Sequence, residues 1–310
     1  LLWFICGFGI AFILMTITNE YIYRYSIILY ILCNISLIAL LFFAEPINGS
    51  KCWFTIQNIG TIQPSEFMKI ILIITLGVII NKHNEKYNKT SKKEFLLILK
   101  VLVITLIPSV LTFLQPDTGI VVIYFIIALV MLIISGINNK WFILLGSIIL
   151  VLGIIFFILY FFYSDLFIDT FGTNFFYRID RIMDWKEGSG MQLENALAAI
   201  GSAGLFGFGI NNTPIYFPEA HTDFIFSVFA SNFGFIGCLF LISLMLYFDN
   251  QLIKLVKKSN SKINKYVLGG IIGMIVYQQV QSIGMNLGML PITGITLPFI
   301  SYGGSSLISY

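Results

Sequence analysis

Nine apolar runs, near residues 1–17, 26–44, 65–81, 95–114, 119–136, 141–163, 223–248, 266–289 and 294–310, dominate this sequence. A helix needs roughly 20 apolar residues to cross the hydrocarbon core of a bilayer. Runs of this length joined by short polar bridges therefore predict an all-α polytopic membrane protein. A soluble alternative fails on charge: 11% of the 310 residues are charged and 58% hydrophobic, against about 25% charged in a soluble chain. The net charge is only +3, and no nucleic-acid partner is expected. Cys6, Cys33, Cys52 and Cys238 show no paired metal-ligand spacing and are assigned no chemistry.

Basic residues orient the helices. Arg24, Lys82, Lys86, Lys89, Lys92, Lys93, Lys140, Lys254, Lys257, Lys258, Lys262 and Lys265 fall in one alternating set of loops. The opposite loops hold Lys51, Arg178, Arg181 and Lys186 beside an acidic set that includes Asp117, Glu219 and Asp223. By the positive-inside rule the lysine-rich loops are cytoplasmic and the acidic ones face outward. The sequence opens and stops inside apolar runs, so both ends read as trimmed. Residues 1–17 lack a basic n-region and a small-residue cleavage site, and read as a helix rather than a secretory leader. The longest connection, 164–222, faces outward and carries an amphipathic stretch, DLFIDTFGTNFFYRIDRIMDW, and a Gly-broken one, NALAAIGSAGLFGFGI. A loop of that length with its own apolar pattern is usually functional. It is expected to lie across the outer mouth, with 196–210 dipping in where protein or water satisfies its backbone.

Four polar clusters interrupt the runs: QPSEFMK (63–69), QPDTG (115–119), PEAHTDF (218–224) and LPFISYGGSS (297–306). Each sits where a helix enters the membrane from outside. Four helix N-termini, each with unsatisfied N–H groups and a partial positive charge, thus converge on one leaflet and suit an anionic headgroup. In the first cluster Pro64 and Glu66 are explained by a helix start. Lys69 is not: three residues on, inside the apolar run, it is either the partner of Glu66 or a direct substrate contact. In QPDTG, Asp117 is either a cap on a tight helix-to-helix turn or part of a site.

PEAHTDF places Glu219, His221 and Asp223 within five residues. Asp223 is either a helix cap or a general base for a substrate hydroxyl. His221 has no second His or Cys nearby, so zinc is unsupported. Arg178 and Arg181, three residues apart, share a face if YRIDRI is helical; they pair either with local acids or headgroups, or grip a phosphate or pyrophosphate through their planar forks. The run IGSAGLFGFG, containing Ser202, lets backbone approach a ligand, though Gly is common in membrane helices anyway.

In this order, Trp53 ahead of QPSE..K, then QPD.G, RI before a broken AIGS.GL, PEAHTDFIF and LPFISYGGSS, the chain resembles the SEDS family (shape, elongation, division and sporulation), which includes FtsW, RodA and SpoVE. The resemblance covers nearly the whole chain. It implies one ten-helix transmembrane domain over 1–310, nine helices of it present with the first absent and the last truncated, and 164–222 as its large extracellular loop. It further implies a peptidoglycan glycosyltransferase that polymerises lipid II at the outer face of the plasma membrane, in division, elongation or sporulation. Asp223 is the implied catalytic residue, a class B penicillin-binding protein the implied partner, and undecaprenyl pyrophosphate the leaving product.

This chemistry suits the residues. A sugar 4-hydroxyl attacks an anomeric carbon and inverts it, so a single base suffices, and Asp223 can take the proton. The leaving pyrophosphate needs positive charge from Arg178, Arg181, Lys69 or helix N-termini, with Glu219, His221 and Ser202 completing the substrate-facing set. A divalent cation, Mg²⁺ or Mn²⁺, ranks below the side chains, because carboxylates alone do not establish a site. Glu66, Lys69 and Asp117, with Gln63 and Trp53, are expected to form a buried polar network that keeps the cavity open and hydrated. Two competing functions are a lipid II flippase, which the one-sided gathering of charged motifs disfavours, and a non-catalytic scaffold for a penicillin-binding protein.

Overall fold

Within a membrane only a helix pairs every backbone N–H and C=O inside its own segment, and the apolar runs fold accordingly. The computed structural model describes residues 2–47, 49–56, 60–88, 90–173, 176, 190–216 and 218–310. It runs α1 (Leu2–Thr16), α2 (Asn19–Phe43), β1 (Phe54–Ile56), β2 (Gly60–Ile62), α3 (Pro64–Lys86), α4 (Ser91–Leu114), α5 (Thr118–Ser135) and α6 (Asn139–Phe162). It continues through α7 (Ser164–Phe171), α8 (Gly190–Ser202), α9 (Ile225–Lys258), α10 (Lys262–Asn286) and α11 (Gly304–Ser309). The two strands form a small antiparallel hairpin leading into α3.

Among the described residues, 7 helices are long and apolar enough to span: α2, α3, α4, α5, α6, α9 and α10. The first and last of the nine expected runs differ. The first forms a 15-residue helix, short of the usual span length. The last stays irregular until the 6-residue α11, because Pro298 supplies no N–H and Gly303 and Gly304 weaken helix formation.

The core is built on α3, which packs against α2, α4, α5 and α10. Met68, Leu72 and Leu76, at helical spacing on α3, are fully buried with Tyr124, Ile127 and Met131 of α5 and Leu37 and Leu40 of α2. Hydrocarbon gives helices no hydrophobic reason to associate, so close packing must do it. Gly270 of α10 illustrates this: a Cβ there would stand 2.9 Å from Ile73 of α3. By contrast α6 buries only Tyr160 and stands outside the core.

Polar contacts sort the two ends of the bundle. At the lysine-rich end Tyr23 donates to Asn264 (2.7 Å), and the Asn84 amide donates to the Ser135 carbonyl (3.2 Å) and the Tyr266 hydroxyl (3.1 Å). Gln63, Asp117 and Asp223 gather at the other end.

One helix is broken. At Gly234, α9 adopts φ 64°, ψ −164°, which frees backbone groups inside the membrane. The segment after α8 satisfies them: Phe208 and Gly209 donate to the Ser231 and Asn232 carbonyls (2.9 and 3.0 Å), and Phe235 and Ile236 donate to Gly204 and Leu205 (3.0 and 3.1 Å). The Gly-broken stretch expected to dip into the bundle therefore ends by docking, backbone to backbone, on the α9 break.

Candidate active site

His221, Thr222 and Asp223 form a turn just ahead of α9, and three successive carbonyls of that turn are gripped from outside. The Tyr302 N–H donates to His221 O (2.9 Å), the Ser301 hydroxyl to Thr222 O (2.8 Å), and the Asn286 amide to Asp223 O (2.9 Å). With the main chain held, side chains are left for other work. His221 is exposed, and Thr222 and Asp223 are partly buried. Glu219 accepts from the Thr222 hydroxyl at 2.8 Å and holds a left-handed φ of 52°. This explains why PEAHTDF and LPFISYGGSS belong together: Ser301 and Tyr302 of the second clamp the first.

A strap, residues 291–297, passes in front of Asp223. Gly294 presents no side chain there, and a Cβ on it would lie 3.6 Å from Asp223 Oδ2. The strap is fastened by Gln281, whose amide donates to Pro291 O (2.9 Å), and by the Leu297 N–H, which donates to Ser301 Oγ (2.8 Å). It also lies on the start of α5, where a Cβ on Gly119 would meet the Thr293 carbonyl at 2.6 Å. That contact brings Asp117 into the electrostatic neighbourhood of Asp223.

Both aspartates precede their helices, and both are held above the ordinary carboxylate range. Burial pushes Asp223 up to about 6, with the charges of Glu219 and then Asp117 adding to it. Burial likewise pushes Asp117 up to about 6, opposed by its hydrogen bond from the Ile120 N–H and reinforced by Glu66. Asp117 caps α5 through that bond (3.3 Å) and accepts from the Gln63 amide at 2.9 Å. Glu66 and Lys69 pair at 2.8 Å. Lys69 donates to the Tyr310 hydroxyl at 3.4 Å, and Tyr310 donates on to Gln278 at 3.0 Å.

The candidates from sequence thus separate. Asp223, Glu219 and His221 share the turn. Gln63, Glu66 and Asp117 line up behind it. Of the two readings of Lys69, partner of Glu66 or substrate contact, the geometry favours the first: the side chain is 0% exposed and enclosed by Glu66 and Tyr310, because an unpaired ammonium is costly at this depth. It belongs to the supporting network. Ser202 ends α8, exposed, its hydroxyl turned back to Ala199 O at 3.3 Å; Trp53 is half-buried before the hairpin. Arg178 and Arg181 lie outside the described residues. Sequence reasoning missed Asn286, Gln281, Ser301 and Gly294. Carboxamides inside a span were the available signal for the first two; Ser301 stood inside a quoted motif without a role.

A family model of cell cycle proteins, that of FtsW, RodA and SpoVE, matches residues 1–310. The chain belongs to this family. The probable peptidoglycan glycosyltransferase FtsW of Buchnera aphidicola subsp. Schizaphis graminum is 34% identical over 320 residues, covering 99% of this chain and 84% of that protein. Its namesake from Bacillus subtilis is 33% identical over 282 residues, covering 88% and 68%. The crystal structure of Thermus thermophilus rod shape determining protein RodA superposes with a TM-score of 0.67 at 26% identity, covering 98% of this chain and 79% of RodA. A chain of a peptidoglycan synthase complex that coordinates polymerisation and crosslinking superposes with a TM-score of 0.80 at 24% identity, covering 99% and 84%. The FtsW/RodA/SpoVE fold thus accounts for the whole bundle.

The arrangement offers one chemically poised group, a carboxylate of raised pKa on a clamped turn, with a buried ion pair and a second acid behind it. Among the described residues no group of three His, Cys, Asp or Glu side chains stands close enough to hold a metal ion.

Proposed function

We propose that this protein is an inverting, lipid-linked peptidoglycan glycosyltransferase. It polymerises lipid II at the outer face of the plasma membrane, with Asp223 as general base. The observation that carries this reading is the Asp223 turn: a carboxylate whose main chain is clamped from α10 and from the 301–302 turn, beside a side-chain-free strap at Gly294. Asp223 accepts the proton of the acceptor sugar's 4-hydroxyl as that oxygen bonds to the donor's anomeric carbon. The anomeric bond to pyrophosphate breaks with inversion, and the pyrophosphate departs on its polyprenyl chain. A base whose pKa lies near the working pH is efficient in that role. The positive-inside rule supports the outward placement of this end. Arg178 and Arg181 are the proposed leaving-group contacts, and Lys69 acts at one remove through the network. The solved relative from a synthase that also crosslinks supports a class B penicillin-binding protein as partner.

The test uses the full-length protein with its penicillin-binding partner, crosslinking blocked, and labelled lipid II. Wild type should make long glycan and Asp223→Ala should make none; undiminished polymer from the variant would refute the assignment. If lipid II instead crosses liposome membranes and no polymer forms, the flippase reading holds. Because Asp223 must be ionised to act, kcat/KM should climb through pH about 6 and level off above it. An acid limb near the ordinary value of 3.8 would show that Asp223 is not the titrating base.

A further inference from the structure

We propose that Asn286 is the positioning residue of the catalytic aspartate, its carboxamide wedged into the first turn of α9 so as to fix where the Asp223 carboxylate stands. The inference rests on the reading of Asp223 as base. In an uninterrupted helix the Ser227 N–H would bond the Asp223 carbonyl four residues back. Here the last residue of α10 stands between them. Asn286 Oδ1 accepts from the Ser227 N–H (3.0 Å) and the Ser227 hydroxyl (2.7 Å), while its Nδ2 donates to Asp223 O (2.9 Å) and Ser282 O (2.8 Å). The side chain is 0% exposed, and these four bonds satisfy both ends of the amide.

The pattern admits no near-substitute. Two donors face Oδ1 and two carbonyls face Nδ2, so the group must both accept and donate. A carboxylate would turn an oxygen toward two carbonyls, and an alkyl group would take these partners from the Ser227 hydroxyl and the Asp223 carbonyl, while the Ser227 N–H would keep its other acceptor, the Phe224 carbonyl at 3.0 Å. The consequence for geometry is direct. The wedge holds the Asp223 main chain off the helical path, and with Ser301 and Tyr302 it determines how the carboxylate meets the strap at Gly294. A base displaced by about 1 Å loses roughly 10²-fold in rate.

The experiment compares wild type, Asn286→Asp, Asn286→Ala, Ser227→Ala and Asp223→Ala in the full-length protein with its crosslinking-blocked partner and labelled lipid II. Rates are normalised to folded protein by size exclusion and melting. Asn286→Asp and Asn286→Ala should lower kcat about 10²-fold with KM near wild type. Asn286→Asp should also move the acid limb of kcat/KM upward. It adds a carboxylate to the groups already around Asp223, namely Glu219 and His221 on its own turn and Asp117 at the start of α5. Ser227→Ala keeps three of the four bonds and should lower kcat roughly 2- to 10-fold, the worth of one hydrogen bond, so the idea stays testable if Asn286→Asp does not fold. Wild-type kcat per folded molecule in the Asn286 variants, or in Ser227→Ala when they do not fold, overturns the proposal, as does an unmoved acid limb in folded Asn286→Asp. Activity surviving in Asp223→Ala sinks the underlying reading instead; an inactive Asp223→Ala beside fully active Asn286 variants sinks the positioning role alone.

Discussion

Lys69 shows what a buried charge demands of its surroundings. Its ammonium is 0% exposed, 2.8 Å from Glu66 and 5.2 Å from the Tyr310 ring centre. Removing it strands Glu66, itself 6% exposed. Breaking one side of such a pair costs about 3–5 kcal/mol. Lys69→Met should therefore lower the melting temperature in detergent and depress polymerisation. Lys140→Met, at an exposed position, should change stability by no more than about 0.5 kcal/mol. Equal melting curves for the two would refute the buried role. The i, i+3 spacing made the Glu66–Lys69 pair legible in sequence; its enclosure by Tyr310 was not, because those residues are 241 positions apart.

Among the elements, α9 and the segment after α8 depend on each other. The break at Gly234 exposes backbone groups that the Gly204–Gly209 segment satisfies, and an unsatisfied group in hydrocarbon costs several kcal/mol. Gly207 sits at the closest approach: its φ is 75°, and a Cβ would stand 2.6 Å from the Gly234 nitrogen. Gly207→Ala should cost about 2–5 kcal/mol, combining the left-handed penalty with overpacking. Measured as a fall in melting temperature and yield, it should far exceed the effect of Gly146→Ala, where nothing lies within 4 Å of the added methyl. Comparable behaviour of the two would count against the docked arrangement. In sequence the glycines and the short apolar length signalled a segment unable to span, but not its receiver, since Gly234 and Gly237 inside a long apolar run give no sign that the helix opens at the first of them.

For the whole molecule, charge asymmetry sets direction and packing sets the site. In a background with Cys6 and Cys238 replaced by Ser, Tyr216→Cys should react with a membrane-impermeant maleimide on intact cells, and Asn88→Cys only after permeabilisation. The opposite pattern would invert the orientation. Hydropathy and lysine distribution alone determined that this is a multi-pass helical protein with its acidic motifs at one end, because membrane insertion reads exactly those local properties along the chain. Tertiary structure alone decided which motif serves which. The side chains that clamp the Asp223 turn, Asn286 and Ser301, come from 63 and 79 positions away, the strap beside it lies some seventy residues on, and Lys69 is enclosed by the far end of the chain. Hydrogen-bond partners within a buried cluster are chosen by three-dimensional proximity, and no local pattern of residues encodes that choice.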